Sequence, residues 1–540
     1  MTPSQKDIIA FYQIRCREQD IKKIAEEICF EQTVEVPKSL ITESHILQHV
    51  VADVHAIEKI ESQRQTYRVA IRYNSNLANA QLSQLLNLVY GNISLKPNTK
   101  LTDLHFPSSF LAQFTGPNFG IEGLRELTNI WNRPLLATAL KPRGATIEAL
   151  SEMAFQFARG GGDLVKDDHN LVDTAISEFS ERIARCNDAV QRANEQTGKR
   201  CIYLPNLSGS SAWIEECLHA VKREGIVGVM VSPMLLGLEN VRQLAQRHKL
   251  VLLAHPTFSG SFFQHSEHGT TPALLLGKLF RLAGIDISVF PNSGGRFSLG
   301  REDCHEIAGQ LVQPFGELKS AWPAPAGGMG YDDLIEMVTM YGNNAVFLIG
   351  GGLLQYDSDL RKATEAFLAR IESCSTQPKA APFNSGAYDT ESFGKKENVR
   401  HKLAFQAGFS WLGRSKSPYK EQQNVDFQGI SRQELIGQFG EQTAFDLRYF
   451  EIEPNGYSSF EQHAHTHAII CVRGQGRLIL DGDDFLLNPL DIGYVGPNDP
   501  HELRNTGNEP FGFLCIVDHD RDRPIQLRRQ GNTGKAEGSW

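Results

Sequence analysis

The stretch Gly161-Gly162-Asp163-Leu164-Val165-Lys166-Asp167-Asp168-His169 decides the fold. A short apolar run ends there in a lysine, two carboxylates and an imidazole. Strands of an all-parallel sheet are buried on both faces and read as such runs. In a (β/α)₈ barrel the chemistry gathers at their C-terminal ends. Working outward, similar runs recur at 137–141, 202–206, 228–231, 251–255, 287–290, 319–322 and 346–349. Each is followed by Gly, Pro or Asn and then by helical periodicity, the βα rhythm of a parallel barrel. The strand ends carry Lys141, Lys166, Asn206, His255 and Asn292, then the glycine turns Gly327-Gly328 and Gly350-Gly351-Gly352.

A chain of 540 residues exceeds one hydrophobic core, so several domains are expected. Residues 1–130 mix strand patterns at 8–14 and 66–73 with amphipathic stretches at 20–30 and 79–88, an α+β domain ahead of a catalytic barrel over 131–375. Residues 376–425 are rich in Ser, Gly, Pro, Lys and Gln and read as a linker. Short alternating strands at 447–453, 468–472, 477–480 and 511–517 place a small all-β domain over 426–525, and 526–540 read as a flexible tail.

Hydrophobic content of 41% and charged content of 22% suit a soluble globular enzyme. A net charge of −9 without a basic run argues against nucleic acid. Nine cysteines without C-x-x-C spacing suit reduced thiols. With no signal-peptide core and no membrane-length apolar run, the chain reads as cytoplasmic.

The barrel residues admit two readings each. A hard dication such as Mg²⁺ wants oxygen ligands, and a lysine ammonium would repel it. If Lys166 reacts with CO₂, its carbamate becomes an oxygen ligand, with Asp168 second and His169 third. The alternative is a surface salt bridge from Lys166 to Asp167 or Asp168. Lys141, just before Pro142, is either a general base with a lowered pKa or a phosphate-binding or salt-bridged lysine. The glycines Gly294, Gly295, Gly327, Gly328, Gly351 and Gly352 follow late strands, where backbone N–H groups commonly hold a phosphate. His255 and Arg296 could add charge there or be structural.

A second site lies in Glu461-Gln462-His463-Ala464-His465-Thr466-His467. On a strand, alternate residues share a face, so Glu461, His463, His465 and His467 would point one way. With His501 downstream they could hold a divalent metal such as Mn²⁺. The alternative is an exposed histidine-rich strand.

Over about residues 8–372 the chain resembles the large subunit of ribulose-bisphosphate carboxylase/oxygenase, and more closely its RuBisCO-like relatives. The resemblance runs through Glu31-Gln32-Thr33-Val34-Glu35-Val36-Pro37, Gly91-Asn92-Ile93-Ser94-Leu95-Lys96-Pro97, Gly116-Pro117-Asn118-Phe119-Gly120-Ile121, Thr138-Ala139-Leu140-Lys141-Pro142 and Gly161 to Asn170. It implies a carbamylated Lys166, Asp168 as metal ligand and Lys141 as the proton-transfer lysine. Lys96, Asn92 and His255 join the candidate catalytic set, and the strand-end residues Asn206 and Asn292, with Arg296, form the candidate substrate set. Asn92 and Glu31 match residues that complete a neighbouring subunit's site, which implies a homodimer or larger homo-oligomer.

Three departures stand out. The third metal ligand is His169 rather than Glu, a softer donor. His255 is followed by Pro256, not Arg. The loop Pro291-Asn292-Ser293-Gly294-Gly295-Arg296-Phe297-Ser298 lacks the lysine that carboxylases require. The last two, with Ala326 in place of the family's serine, argue against carbon fixation and for a monophosphate substrate. The C-terminal segment resembles a cupin through His463-Ala464-His465, Arg473-Gly474-Gln475-Gly476 and Pro497 to His501. The glutamate usual after the histidine pair is missing, with Glu461 or His467 as its substitute.

A RuBisCO-like isomerase followed by a cupin resembles the methylthioadenosine-to-isoprenoid route. That implies isomerisation of 5-methylthioribulose 1-phosphate to 1-methylthioxylulose 5-phosphate, then thiol-dependent removal of the methylthio group, with glutathione as a possible co-substrate. The alternative is a decarboxylase or hydrolase of 3-oxo-isoapionate 4-phosphate or a similar acid phosphate. A non-catalytic, regulatory or metal-sensing cupin is a third reading.

Overall fold

The computed structural model describes residues 7–60, 65–297, 299–375, 427–437 and 443–518, parts of 403–419, and 525–526. Most of the expected linker, nearly all of the expected tail and Ser298 lie outside the described residues. The chain divides into two compact units, 1–387 and 388–540.

The first unit opens with an antiparallel sheet in the order Thr99–His105, Asp7–Arg15, Thr66–Asn74, Asp53–Lys59. The strands expected at 8–14 and 66–73 pair with each other. Asp53–Lys59 and Thr99–His105 escaped the pattern because polar residues interrupt their alternation. Helices Ile21–Glu31 and Leu82–Tyr90 bury Ile21, Ala25 and Ile28, and Leu82, Leu85 and Val89, at helical spacing. The barrel docks on this sheet through Gly269–Thr270, which extends it beside Thr99–His105. Buried Lys278 also ion-pairs with Asp103 at 2.5 Å.

The barrel strands are Leu135–Leu140, Leu164–Asp167, Ile202–Leu204 with Asn206–Leu207, Gly228–Val231, Val251–Ala254, Ile287–Pro291, Trp322–Ala326 and Val346–Leu348. All pairings between them are parallel. The third strand is split at Pro205: its first piece pairs with the second strand and its second piece with the fourth, which closes the ring. One strand was misplaced. The seventh is Trp322–Ala326 rather than 319–322. Its sequence, Trp-Pro-Ala-Pro-Ala, reads as a strand breaker because proline donates no ladder hydrogen bond. Here Trp322 donates to Asp286 and Ala326 accepts from Asn292, so the even residues bond to the sixth strand. The prolines fall at odd positions facing the eighth strand, where the ladder is a single bridge, Ala326 to Leu348.

Side-chain parity sets the site. Leu135, Ala137, Leu164, Ile202, Leu204, Leu253 and Val289 fill the barrel interior as one cluster. Alternate residues share a face. Counting on by twos from this interior set reaches Lys141, Lys166, Asp168, Asn206 and His255 at the mouth. Leu136, Leu140, Val165 and Phe290 face out to the helical layer.

The second unit is an all-β fold whose strands Gln428–Ile436, Phe445–Tyr457, Phe511–Asp518, His467–Arg473 and Ile492–Val495 are joined side by side, with Gly476–Leu480, Asp483–Leu487 and His501–Arg504 beyond. Ile452, Ile469, Cys471, Val495, Phe511 and Val517 are among its core residues. Within the stretch read as a linker, Ser417–Pro418 pairs with Gln428–Ile436 and Phe405–Gln406 with Ser410–Trp411. That stretch therefore contributes strands, unseen because each is two residues long.

Candidate active site and metal centre

At the barrel mouth Lys166 is 3% exposed, and its ammonium donates to the Asp167 carbonyl at 2.8 Å. Burial, with the neighbouring Lys141 charge, lowers its pKa to about 8. A surface salt bridge is therefore not its role. Asp167 points outward and is held by Arg182 at 2.6 Å, the Tyr203 hydroxyl at 2.7 Å and the Asn206 amide at 2.9 Å. Asp168 points inward and pairs with Lys141 at 3.0 Å and with His169 at 3.3 Å. Burial alone would raise the Asp168 pKa. The Asn170 N–H and the lysine charges outweigh it and hold the carboxyl below its usual value.

His169 stacks on His255 with ring centroids 4.2 Å apart. Burial pushes both imidazoles toward the neutral form, His255 to about 2. Thr257, which the sequence did not single out, fixes His255 by a 2.6 Å contact to Nδ1. Asn206 donates to the carbonyls of His169 and Leu171, both at 3.2 Å, while its own side-chain oxygen is buried without a partner. It thus shapes the loop that presents His169.

Lys166, Asp168 and His169 can hold Mg²⁺ if Lys166 is carbamylated. Without the carbamate the donors are one carboxylate and one imidazole beside two lysines, a poor set for a hard dication. The neutral amine that burial favours is the form that reacts with CO₂.

The glycines divide into two kinds. The Arg296 amide donates to Gly327 at 3.1 Å, binding the sixth loop to the seventh. A Cβ on Gly295 would lie 2.1 Å from the Gly327 carbonyl, and one on Gly352 2.3 Å from the Met329 carbonyl. Packing explains glycine at both positions. Gly294 and Gly351 face open space, where a phosphate could approach the backbone. Gly327 and Gly328 hold φ of +96° and +94°, and Gly328 lies against Arg296. Asn292 is buried and accepts from the Tyr341 hydroxyl at 2.6 Å.

Asn92, Glu31 and Lys96 stand elsewhere. Asn92 donates to Glu31 at 3.1 Å and Glu35 at 3.0 Å, and Lys96 pairs with Glu27 at 3.4 Å, all within the N-terminal domain.

In the second unit the expected single strand is not formed. Glu461–Gln462 is a two-residue strand, residues 463–466 turn, and a new strand starts at His467. The ligand-capable atoms of His463, His467 and His501 lie within 4.8 Å of one another. His465 does not join them; its ring stacks on His463 at 3.7 Å. Glu461 accepts from Ser459 at 2.6 Å. Carbonyl oxygens only accept, so the 2.8 Å contact of His463 Nδ1 to His465 and the 2.9 Å contact of His501 Nδ1 to Asp499 require N–H at Nδ1. That leaves Nε2 as the lone-pair nitrogen in both. His467 Nδ1 lies 3.4 Å from the Cys515 sulfur, and its Nε2 is buried with no partner. Burial lowers the His467 pKa to about 2, so it is neutral. Burial also favours the neutral form of His463, and three imidazoles converging on one point fit a divalent transition metal. Cys515 and Arg448 belong to this site but come from remote strands, so no local motif announced them.

The profile of the ribulose bisphosphate carboxylase large-chain N-terminal domain matches residues 1–110, and that of its catalytic domain residues 120–293. The cupin-domain profile matches residues 448–517. The chain belongs to the ribulose bisphosphate carboxylase large-chain family, with a cupin domain following the barrel. It is 38% identical over 367 residues to ribulose bisphosphate carboxylase-like protein 1 of Rhodopseudomonas palustris, covering 68% of this chain and 98% of that one. It is 34% identical over 370 residues to the 5-methylthioribulose-1-phosphate isomerase of Rhodospirillum rubrum, covering 68% and 97%. To the 2,3-diketo-5-methylthiopentyl-1-phosphate enolase of Geobacillus kaustophilus it is 32% identical over 393 residues, covering 70% and 94%. The crystal structure of a Rubisco-like protein from Rhodopseudomonas palustris aligns with a TM-score of 0.63 at 35% identity, covering 69% of this chain and 100% of that one.

Proposed function

We propose that the barrel is a metal-dependent isomerase that enolises a phosphorylated ketose, converting 5-methylthioribulose 1-phosphate to 1-methylthioxylulose 5-phosphate. The observation that carries this reading is the pairing of Lys141 with Asp168 beside buried Lys166 at the mouth. The isomerase and enolase relatives support it, since both names denote chemistry on a phosphorylated carbonyl compound. No lysine stands in the sixth loop, so the chain is not a CO₂-fixing carboxylase.

Substrate and product differ by a ketone moved two carbons along one chain. That requires protons removed from, and returned to, neighbouring carbons. Lys141 holds a nitrogen at the mouth for this work, 42% exposed and oriented by Asp168. Lys166 adds CO₂ at its amine, losing one proton and gaining a carboxylate. That carbamate, Asp168 and His169 would hold Mg²⁺, which would supply Lewis acidity to the carbon beside the ketone. Gly351, facing open space after the eighth strand, offers backbone N–H to the phosphate. Asn92 and Glu31, hydrogen-bonded to each other, and Lys96, paired with Glu27 of the same N-terminal domain, serve the partner's site in a homodimer or larger homo-oligomer.

The cupin unit acts on the product with a divalent metal such as Mn²⁺. The carbon–sulfur bond breaks, the methylthio sulfur joins the sulfur of a thiol such as glutathione, and the thiol proton ends on carbon, giving 1-deoxyxylulose 5-phosphate and a mixed disulfide. This enzyme works in the cytoplasm on small molecules, with no nucleic-acid or membrane partner. Among the described residues no helix is long and apolar enough to cross a membrane.

The test incubates the full chain with 5-methylthioribulose 1-phosphate, Mg²⁺ and Mn²⁺, with and without glutathione, followed by phosphorus NMR and mass spectrometry. Methylthioxylulose phosphate without thiol, and deoxyxylulose phosphate with it, are expected. No conversion by metal-loaded protein would overturn the reading. Isomerisation unaffected by thiol would leave the barrel half standing and remove the cupin half.

A further inference from the structure

The histidines are one wall of a cavity of about 210 Å³ inside the second unit. The opposite wall comes from two neighbouring antiparallel strands, Gln428–Ile436 and Phe445–Tyr457. Their register sets Arg432 opposite Phe450 and Glu434 opposite Arg448. Alternate residues share a face, so Ile430, Arg432, Arg448 and Phe450 all line the cavity.

The two guanidiniums differ. Arg432 is ion-paired to Glu434 at 3.1 Å. Arg448 has no carboxylate partner among the described residues. Its Nε is buried with no hydrogen-bond partner. Its Nη2 has only the Cys515 sulfur, at 3.6 Å, and its plane lies over the Phe450 ring at 5.2 Å. A buried guanidinium N–H left unmatched costs free energy, and an oxyanion is its best complement. Among the cavity's lining residues two arginines stand against one carboxylate, Glu461, and a divalent ion held by the histidines would add further positive charge. The apolar remainder, Ile430, Phe450, Leu503 and Phe513, can cover a short carbon skeleton.

We propose that this cavity is an oxyanion-binding site in which Arg448, aided by Arg432, holds a phosphate monoester of a small metabolite across from the histidine-bound metal. The inference names the ligand class for the cupin half of the function proposed above. It stands or falls on binding, not turnover, so its failure is separable from failure of that reading.

The probe is inorganic phosphate, then methyl phosphate, with acetate as the carboxylate arm. The protein is the full chain loaded with Mn²⁺, carrying Lys166→Met in every arm to silence the barrel metal. Phosphorus relaxation reports phosphate held near the cupin metal, and electron paramagnetic resonance reports the metal. A saturable enhancement is expected. It should weaken roughly 10- to 100-fold in apparent Kd on Arg448→Gln, the range of one charge-assisted pair, with bound Mn²⁺ unchanged. Arg432→Gln should weaken it less. Stronger acetate than phosphate binding would change the ligand class and overturn the proposal. So would no enhancement with metal bound, or equal enhancement in Arg448→Gln. Should Lys166→Met not fold, crystals of the wild-type chain grown with methyl phosphate decide: an oxyanion against Arg448 supports the site, and a cavity holding only solvent overturns it.

Discussion

Lys141 and Asp168 meet at 3.0 Å across the ends of adjacent parallel strands. Each is reached by counting inward positions from the barrel core. One contact thus joins the group proposed to move protons to the carboxylate proposed to hold the metal. Lys141→Met should keep bound metal and fold but lower isomerisation by about 10³-fold, within the span of general acid–base catalysis. Product formation and metal content, measured together, check this.

Lys166→Met should be just as inactive for a different reason. It removes the amine that takes up CO₂, so metal content at the barrel should fall as well. Because a buried ammonium is replaced by an apolar side chain of similar length, the thermal midpoint should hold or rise. A loss of activity with normal barrel metal would contradict the carbamate.

Activation by bicarbonate should depend on pH with a fixed sign. Burial lowers the Lys166 pKa to about 8. CO₂ adds to the neutral amine, so activation should climb as pH rises through about 8. Linkage gives a companion effect in the carbamate-free protein. Between about pH 8 and about pH 10.4 the unfolded chain holds a proton that the folded chain has released, so this group's contribution to stability grows with pH there. Activation rates at stepped pH check the first point.

In the cupin unit, His463→Ala, His467→Ala and His501→Ala should each lose the metal, measured by elemental analysis of the full chain. His465→Ala should retain it, since His465 stacks outside the trio. Loss of metal in His465→Ala alone would contradict the assignment.

Fold stability has a test of its own. Asp163, buried, accepts from Arg133 at 2.6 and 3.0 Å and from the Leu136 amide at 2.8 Å. Asp163→Asn leaves the exposed Glu372, 3.5 Å from Nε, as the anionic partner of the buried Arg133 charge and should cost about 2–4 kcal/mol. Denaturant unfolding of the first unit checks it.

Much of this was legible in the chain because parallel strands write continuous apolar runs. Lys141, Lys166, Asp168 and His255 lie at the ends of three such runs, and the structure gathers them at one mouth. The seventh strand was not legible, since Pro323 and Pro325 are tolerated only by a register no local pattern reveals. The histidine alternation pointed to the region of the trio His463, His467 and His501, but the single strand it implied is not formed. Residues 463–466 turn, and His465 stacks on His463 outside the trio, an arrangement that only tertiary structure reveals. Arg448 was invisible for the same reason, being an ordinary arginine until its strand is placed opposite the histidines.

The most direct test of the central claim is turnover of 5-methylthioribulose 1-phosphate in deuterium oxide, with the products read by mass spectrometry. The account predicts methylthioxylulose phosphate carrying solvent deuterium on the carbon chain in the wild type, and neither product nor exchange with Lys141→Met. Undiminished exchange in Lys141→Met, or no exchange in metal-loaded, bicarbonate-activated wild type, would contradict it.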